Sequence, residues 1–473
     1  MASPRRRFTT FSFTGYEVHP VGRTVELHYA LDRRIRFTER LRFPDNLHHT
    51  FKDVGRSVPG GFSLGRSPAF DAALFALHLI GGVSYYKTFC PPRLVVRSGR
   101  LTKDQANFWT TVYENGLGEF FYQNEMDFRG RVRFPNGARA LRRTRDARLG
   151  APRSSRPPRV LIPIGGGKDS LVAAELCRRA GLDVTLFRIG RHPVIEKLAA
   201  KLRLPLLTAE RELSPVLFRL NERGAYNGHV PFTAYVSAAA VVVAVREGMD
   251  AVVMSNERSA SVGNVTVLGR TINHQWSKGL VFERAFRQYV RRFVTPDLEY
   301  FSLLRPLSEL HIARFFATMP SLHATFTSCN ENWKILGPRL QQRWCGRCAN
   351  CAFAFALHAA FWPRAKLLRT FGANVFDDAR LLPTYRQLLG IEGIKPFACV
   401  GTAEETRAAF WLSYRRGEWN GTLAMELFAK QVLPRLRTPQ AMVQEALTPA
   451  SVRTLPPRFR RVLAPLIARE SSL

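Results

Sequence analysis

One stretch carries the clearest chemistry in the chain: Arg159-Val160-Leu161-Ile162-Pro163-Ile164-Gly165-Gly166-Gly167-Lys168-Asp169-Ser170. An apolar β-type segment runs into three glycines and then directly into the helix pattern Leu171-Val172-Ala173-Ala174-Glu175-Leu176. Such a junction leaves unpaired N–H groups and the positive end of a helix dipole at one point, where anionic oxygens bind. Glycine lets phosphate approach the backbone closely. The spacing is not that of a Walker A loop, which needs four residues between its first Gly and a Gly-Lys-Ser/Thr, and it is not a dinucleotide fingerprint. The bland alternative is a tight turn that needs glycine and binds nothing. The Lys-Asp-Ser that follows speaks against it.

A second constellation is Cys329, Cys345, Cys348 and Cys351, which read C-x15-C-x2-C-x2-C. The close triplet can present three thiolates from one loop while Cys329 closes a tetrahedron, the pattern of a structural zinc site. An iron–sulfur cluster, also held by four thiolates, is the runner-up. Four sulfurs leave no open position, so the expected role is stabilisation of the C-terminal segment. The other three of the seven cysteines, Cys90, Cys177 and Cys399, are dispersed and read as small core residues. An odd cysteine count with four grouped suits a reducing compartment better than a disulfide framework.

The elements that position these groups change character along the chain. Residues 8 to about 56 alternate apolar and polar side chains, the period of half-buried antiparallel strands. Ala72–Gly82 is a helical apolar run, and another helix is expected around Asp104–Tyr113. The aromatic-polar segments Val83–Thr88 and Glu114–Tyr122 read equally as site walls or as core. The run between Arg139 and Pro158, rich in Arg, Pro, Ser and Gly, reads as a linker. From Val160 strands and helices alternate: Val160–Ile164, Leu171–Arg179, Val184–Phe187, His192–Lys201, a strand near Leu204–Leu207, a long helix Phe232–Arg246, and Ala251–Met254. That is the signature of βαβ units on a parallel sheet, which binds ligands at the carboxyl ends of its strands.

Two such strand ends draw notice: Arg188 after the second strand, and Ser255-Asn256-Glu257-Arg258 after Ala251–Met254. Glu257 is a candidate magnesium ligand or base, or else a loop carboxylate paired with Arg258. Farther on, His274 and Lys278 in Asn273-His274-Gln275-Trp276-Ser277-Lys278 are candidate acid–base groups, as are Tyr86 and Lys87 on residue chemistry alone. An ordinary loop histidine is the competing reading of His274. Beyond Cys351 the chain is helical (Ala352–Trp362, Thr402–Trp411, Thr422–Val432), with an Arg-rich tail. The expected organisation is an N-terminal α+β domain over 1–138 that binds substrate, a linker over 139–158, a nucleotide domain over 159–328, and a cysteine segment with helices over 329–473.

At 473 residues the chain exceeds a single core, and its 46% hydrophobic content should fold. A net charge of +33 points to anionic partners. The basic residues are mostly Arg scattered along the whole length, so genome composition also accounts for part of the charge. The N-terminal Arg cluster is followed by no apolar core, which argues against a signal peptide. Apolar runs such as Ala238–Val245 are too short to span a bilayer. A cytoplasmic protein is expected.

Gly165 to Ser170 resemble the SGGxDS loop of the ATP pyrophosphatases, which adenylate a carbonyl oxygen or carboxylate and release pyrophosphate. Five of six positions match; Gly165 stands where the family usually has Ser, which removes one hydroxyl donor and leaves the backbone cradle intact. The resemblance implies an α/β fold with a parallel-sheet core like that of the adenine-nucleotide alpha hydrolases. It also implies that Asp169 helps hold magnesium, that Ser170 donates to pyrophosphate, that Lys168 neutralises phosphate charge, and that Arg188 and Asn256 lie near the nucleotide. A CxxCxxC after an earlier Cys is similar to the zinc site of 7-cyano-7-deazaguanine synthase.

Taken with Ser84-Tyr85-Tyr86-Lys87, Asn115-Gly116-Leu117, Asn256-Glu257-Arg258-Ser259-Ala260, Asn273 to Lys278 and Trp344 to Cys351, the chain resembles the MurL family, the UDP-N-acetylmuramoyl-L-alanyl-L-glutamate epimerases of bacterial peptidoglycan synthesis. That likeness implies an ATP- and magnesium-dependent inversion of the terminal glutamate of UDP-MurNAc-L-Ala-L-Glu without pyridoxal phosphate, with functional coupling to a ligase that adds L-Glu. Two alternatives stand beside it. One is a tRNA-modifying pyrophosphate-loop enzyme of thiolation or lysidine type, which would use the basic surface to hold RNA. The other is a non-enzymatic, zinc-stabilised nucleic-acid binder.

Overall fold

The alternating pattern of the first forty residues becomes three antiparallel strands, β1 (Thr10–His19), β2 (Thr24–Leu31) and β3 (Ile35–Arg42). Phe13 pairs with Tyr29 and Tyr29 with Phe37, so one face presents an aromatic ladder to the core. Six more strands complete a nine-stranded mixed sheet: β4 (Arg93–Val96), β5 (Arg159–Pro163), β6 (Asp183–Ile189), β7 (Leu206–Glu212), β8 (Ala251–Met254) and β9 (Glu299–Ser302). Their order is β9-β8-β5-β6-β7-β3-β2-β1-β4. Strands β5 to β9 are mutually parallel, and β3 joins them antiparallel through β7. The chain is thus mixed α/β, with one sheet crossing from the N-terminal segment into the segment that carries the glycine loop. This computed structural model describes residues 8–19, 23–43, 57–58, 62–63, 67–137, 156–334 and 340–464. The expected linker lies outside the described residues apart from 156–158.

The strand expected at Leu204–Leu207 instead runs Leu206–Glu212. Its second half is polar, but Glu210, Arg211 and Glu212 pair with Arg42, Leu41 and Arg40 of β3, so cross-strand partners replace the apolar signal. Elsewhere helices stand at the expected places with shifted bounds: Lys103–Gly116, Lys168–Arg179 and Ala403–Arg416 are longer than expected, Pro68–Gly81 and Ala349–Ala359 start earlier and end earlier, Pro193–Leu202 is displaced by one residue, and Leu423–Gln431 is shorter. Phe232–Arg246 has the expected bounds.

Side-chain alternation divides β5 between two cores. Val160 and Ile162 face the core shared with the C-terminal helices; Leu161 faces the core shared with the N-terminal strands. The helix Phe232–Arg246 is apolar around most of its circumference because it is buried, with ten of its residues inside the protein. Pro68–Tyr86 is long and apolar enough to cross a membrane by length and composition, but 78% of its apolar window is buried within the fold.

Packing near the site leaves little room. A Cβ at Gly116 would lie 2.6 Å from Cγ of Pro231 and 2.8 Å from its Cβ, both on a rigid ring. Gly116→Ala should therefore destabilise the protein by about 1–3 kcal/mol. Thermal denaturation of the variant checks this, and an unchanged midpoint would show that the Pro231 loop yields freely.

Candidate active site

In chain order β5 to β9 are arranged 3-2-1-4-5, so the direction of winding reverses between β5 and β8. A crevice opens at that switch point outside the carboxyl ends of the strands. Gly165 to Ser170 follow β5 and Asn256 to Arg258 follow β8, so the glycine loop and one of the two noted strand ends meet there. Gly166 adopts φ +83°, and a Cβ on it would lie 3.1 Å from the Trp333 ring. Glycine is required at this position on both counts. Gly167 caps the helix Lys168–Arg179 with no side-chain hydrogen bond, which leaves its first N–H groups directed at the crevice. Nothing lies within 4 Å of a Cβ at Gly165, so its lack of a side chain leaves open space.

Three carboxylates converge beside this loop. One oxygen each of Asp169, Glu257 and Glu309 lies within 4.8 Å of the others. Lys168 reaches across them, 2.7 Å from Asp169 and in a short contact with Glu309. Burial opposes the ammonium, but the two carboxylates outweigh it and hold the Lys168 pKa above the ordinary lysine value. Glu257 is buried, and its Oε1 has no hydrogen-bond partner among the described residues. A buried, unpaired carboxylate oxygen is costly, and a hard cation at the triad would satisfy it. Glu309 was not singled out from sequence, where it reads as an ordinary acidic residue in the first turn of Glu309–Ala317.

A second cluster adjoins the first through Lys278. Lys278 Nζ lies 3.1 Å from Cys399 Sγ and 3.3 Å from Gln275 Oε1. Burial acts against its charge, yet Cys399 and then Glu257 hold the Lys278 pKa above normal, with Asp169 adding to them. His274 is hydrogen-bonded to Cys399 and, through Nδ1, to Glu119. These partners overcome burial and raise its pKa to about 9. His229 packs against His274, ring centroids 4.5 Å apart and tilted by 46°, and sits 3.4 Å from Glu119. Burial, helped by His274, Lys87 and Lys278, lowers the pKa of His229 to about 3. Lys87 Nζ donates to Asn227 Oδ1 and the Gly228 carbonyl at 2.8 and 2.7 Å, and burial lowers its pKa to about 8. At neutral pH Lys278, His274 and Lys87 are therefore held protonated beside a neutral His229, a set of proton donors next to the carboxylate triad.

The scaffold fixing these groups is itself buried. Arg305 donates to the Glu257 carbonyl and the Lys278 carbonyl, each at 2.5 Å, and is neutralised by Glu283 at 2.7 Å. One guanidinium thus sets the spacing between the two clusters. Asn264 accepts the His274 N–H at 2.8 Å and donates to the carbonyls of Lys395 and Pro396, tying the His274 loop to the segment that carries Cys399.

The remaining predicted residues lie as follows. Arg188 is buried, 2.6 Å from Glu196 and 2.9 Å from Thr208 Oγ1. Asn256 donates to Ser302 Oγ at 3.0 Å, linking the ends of β8 and β9. Ser170 Oγ donates to the Gly167 carbonyl at 3.2 Å. Tyr86 is fully buried, and its hydroxyl, without a hydrogen-bond partner among the described residues, has its pKa raised by burial. The two aromatic-polar segments turn out to be both things at once. Tyr85, Tyr86, Phe120 and Phe121 are core, while Lys87 and Glu119 reach the cluster.

The four grouped cysteines come together, with every sulfur within 4.8 Å of the others and the Cys345–Cys351 and Cys348–Cys351 pairs at 3.7 and 3.5 Å. Those separations are far beyond a disulfide and close to the edge, about 3.8 Å, of a tetrahedron with metal–sulfur bonds of about 2.3 Å. The group can hold a metal ion. Cys90 and Cys177 are buried, as expected. Cys399 departs from the core-residue expectation, because it is partly exposed and ion-paired in the second cluster.

The chain matches the MurL N-terminal domain over residues 2–303 and the MurL C-terminal domain over residues 325–443. The chain belongs to the MurL family. It is similar to the UDP-N-acetyl-alpha-D-muramoyl-L-alanyl-L-glutamate epimerase of Xanthomonas oryzae pv. oryzae, with 43% identity over 404 residues, 85% of this chain and 88% of that one. The proteins of the same name from Salinispora tropica and a Micromonospora species are 38% and 37% identical, over 98% and 97% of this chain and 97% and 98% of theirs. Both MurL domains contribute to the site: the N-terminal match contains Lys168, Glu257 and Lys278, and the C-terminal match contains Cys399.

Proposed function

We propose that the protein inverts the terminal L-Glu of UDP-MurNAc-L-Ala-L-Glu to D-Glu, using ATP and magnesium and no pyridoxal phosphate. The observation that carries this reading is the junction, at one switch point, of an anion-binding loop with a carboxylate triad and a buried acid–base cluster. The kinship with epimerases of that name supports it and favours it over tRNA modification.

A carboxylate resists loss of its α-proton because the resulting carbanion would add a second negative charge. Attack of a carboxylate oxygen of the glutamate on the α-phosphorus of ATP releases pyrophosphate and gives an acyl-adenylate, which removes that charge. A base then takes the α-proton and the electron pair moves into the acyl group. Donation of a proton to the opposite face inverts the centre, and water cleaves the mixed anhydride to AMP and product.

In this scheme Gly165, Gly166, Gly167 and Ser170 cradle the phosphates at the helix N-terminus, and Lys168 balances their charge. Asp169, Glu257 and Glu309 hold magnesium, which supplies charge neutralisation at the phosphates when bound. Arg188 and Asn256 border the nucleotide. Lys278 and His274, with Glu257 beside them, are the proton-transfer groups. The segment over 1–138 forms part of the substrate site, 159–328 the pyrophosphate-loop nucleotide domain, and 329–473 the metal-bearing helical region. A cytoplasmic location and coupling to a glutamate-adding ligase complete the proposal.

The test is to incubate the protein with ATP, magnesium and UDP-MurNAc-L-Ala-L-Glu, follow AMP and pyrophosphate, and determine glutamate configuration by chiral chromatography. D-Glu formed with AMP is the expected result; L-Glu alone with no AMP sinks the reading. We also propose zinc at Cys329, Cys345, Cys348 and Cys351. Metal analysis should give about one zinc per chain, and Cys348→Ser should lose it and lower the thermal midpoint. Iron in place of zinc would point to a cluster.

A further inference from the structure

We propose that Cys399 is itself a proton-transfer residue of the epimerisation, a thiolate held between Lys278 and His274 that exchanges the α-proton on one face of the glutamate. The inference rests on the epimerase reading above.

Unlike Cys90 and Cys177, Cys399 is partly exposed. Its Sγ lies 3.1 Å from Lys278 Nζ, and its second partner is His274, whose ring also binds Glu119. Lys395, on the same segment, interacts with it as well. Behind these cations stand Glu257 on the Lys278 side and Glu119 on the His274 side. Burial alone would raise the thiol pKa, and it does so to about 12 at Cys90 and Cys177. At Cys399 the two cations win and bring it to about 6. Charge also couples the thiolate to the carboxylate triad, because Lys278 and Lys395 each interact electrostatically with both Cys399 and Glu257.

A soft, weakly hydrated thiolate suits abstraction of a carbon-bound proton. The Cα–H bond breaks, its electron pair enters the adenylated acyl group, and an S–H bond forms. A proton from a second donor on the other face completes inversion. In the reverse direction Cys399 gives that proton.

The experiment compares wild type with Cys399→Ala in D2O containing ATP, magnesium and UDP-MurNAc-L-Ala-L-Glu. AMP formation and deuterium at the glutamate α-carbon are read separately. The expected result is AMP formation retained, with epimerisation and deuterium incorporation falling roughly 10²–10⁴-fold. Undiminished epimerisation in Cys399→Ala overturns the inference, as does equal loss of AMP and epimerisation, which would make Cys399 a binding group. Absence of AMP in the wild type would instead defeat the epimerase reading. In that event iodoacetamide labelling of the native protein, followed peptide by peptide against pH, still decides the state of Cys399. A midpoint near 6 that rises in Lys278→Met is expected, and one near an ordinary thiol value of about 8.5 overturns the inference.

Discussion

Asp169→Asn should abolish substrate-dependent release of AMP and pyrophosphate, by roughly 10³-fold or more, while leaving the protein folded. Asp169 is the most exposed of the converging carboxylates, with its side chain 30% accessible against 6% for Glu309, and it stands in the first turn of the loop's helix. Its loss removes one charge from the triad and leaves Lys168 with Glu309 alone. A metal ion that neutralises transferring phosphates is worth several kcal/mol, and each 1.36 kcal/mol is a factor of about ten in rate. The measurement is pyrophosphate release at saturating ATP over a range of magnesium concentrations. Partial rescue by high magnesium would agree with a weakened metal site. Activity within a few-fold of wild type would remove Asp169 from the nucleotide machinery.

Glu39→Gln should destabilise the fold strongly, by about 3–5 kcal/mol. Glu39 is a fully buried carboxylate on β3, and it gathers four elements of the fold. Arg211 of β7 meets it with two bonds of 2.9 Å, Tyr235 of the helix Phe232–Arg246 donates at 2.7 Å, and Tyr85 donates at 2.9 Å. The Arg211 guanidinium also lies over the Tyr235 ring at 3.7 Å. The glutamine keeps the shape and removes the charge, which leaves Arg211 buried without a counterion. Since the penalty comes from the orphaned cation, Glu39→Gln/Arg211→Met should be more stable than Glu39→Gln alone. Thermal denaturation of the two variants decides this. A double variant less stable than the single one would mean that Arg211 stabilises through packing more than it costs as a buried charge.

This network also explains where sequence reading stops. Glu39 shares the register of Ile35, Phe37 and Leu41 in the strand Ile35–Arg42, so the period puts it on the inward face but names no partner for its charge. Only the β3–β7 pairing brings Arg211 to it across 172 positions of chain. The same holds at the site. The glycine loop was legible because its function depends on local backbone: consecutive glycines, a strand before and a helix after. The cysteine triplet was legible because metal-ligand spacing is itself local, and Cys329 joins it from only 16 residues away.

The strand–loop–helix units, the glycine loop, the cysteine cluster and the family are legible in the sequence alone, since each is written in contiguous residues with a fixed period or spacing. Tertiary structure decided which distant side chains share one low-dielectric crevice. Glu309 completes a triad with Asp169 and Glu257, and Glu119 and His229 meet His274. Cys399 ceases to be a core cysteine because it lies against Lys278, 121 positions earlier. The physical reason is that charge state and reactivity are set by neighbours within a few ångströms, and the order of strands in the sheet, which no local pattern encodes, chooses those neighbours.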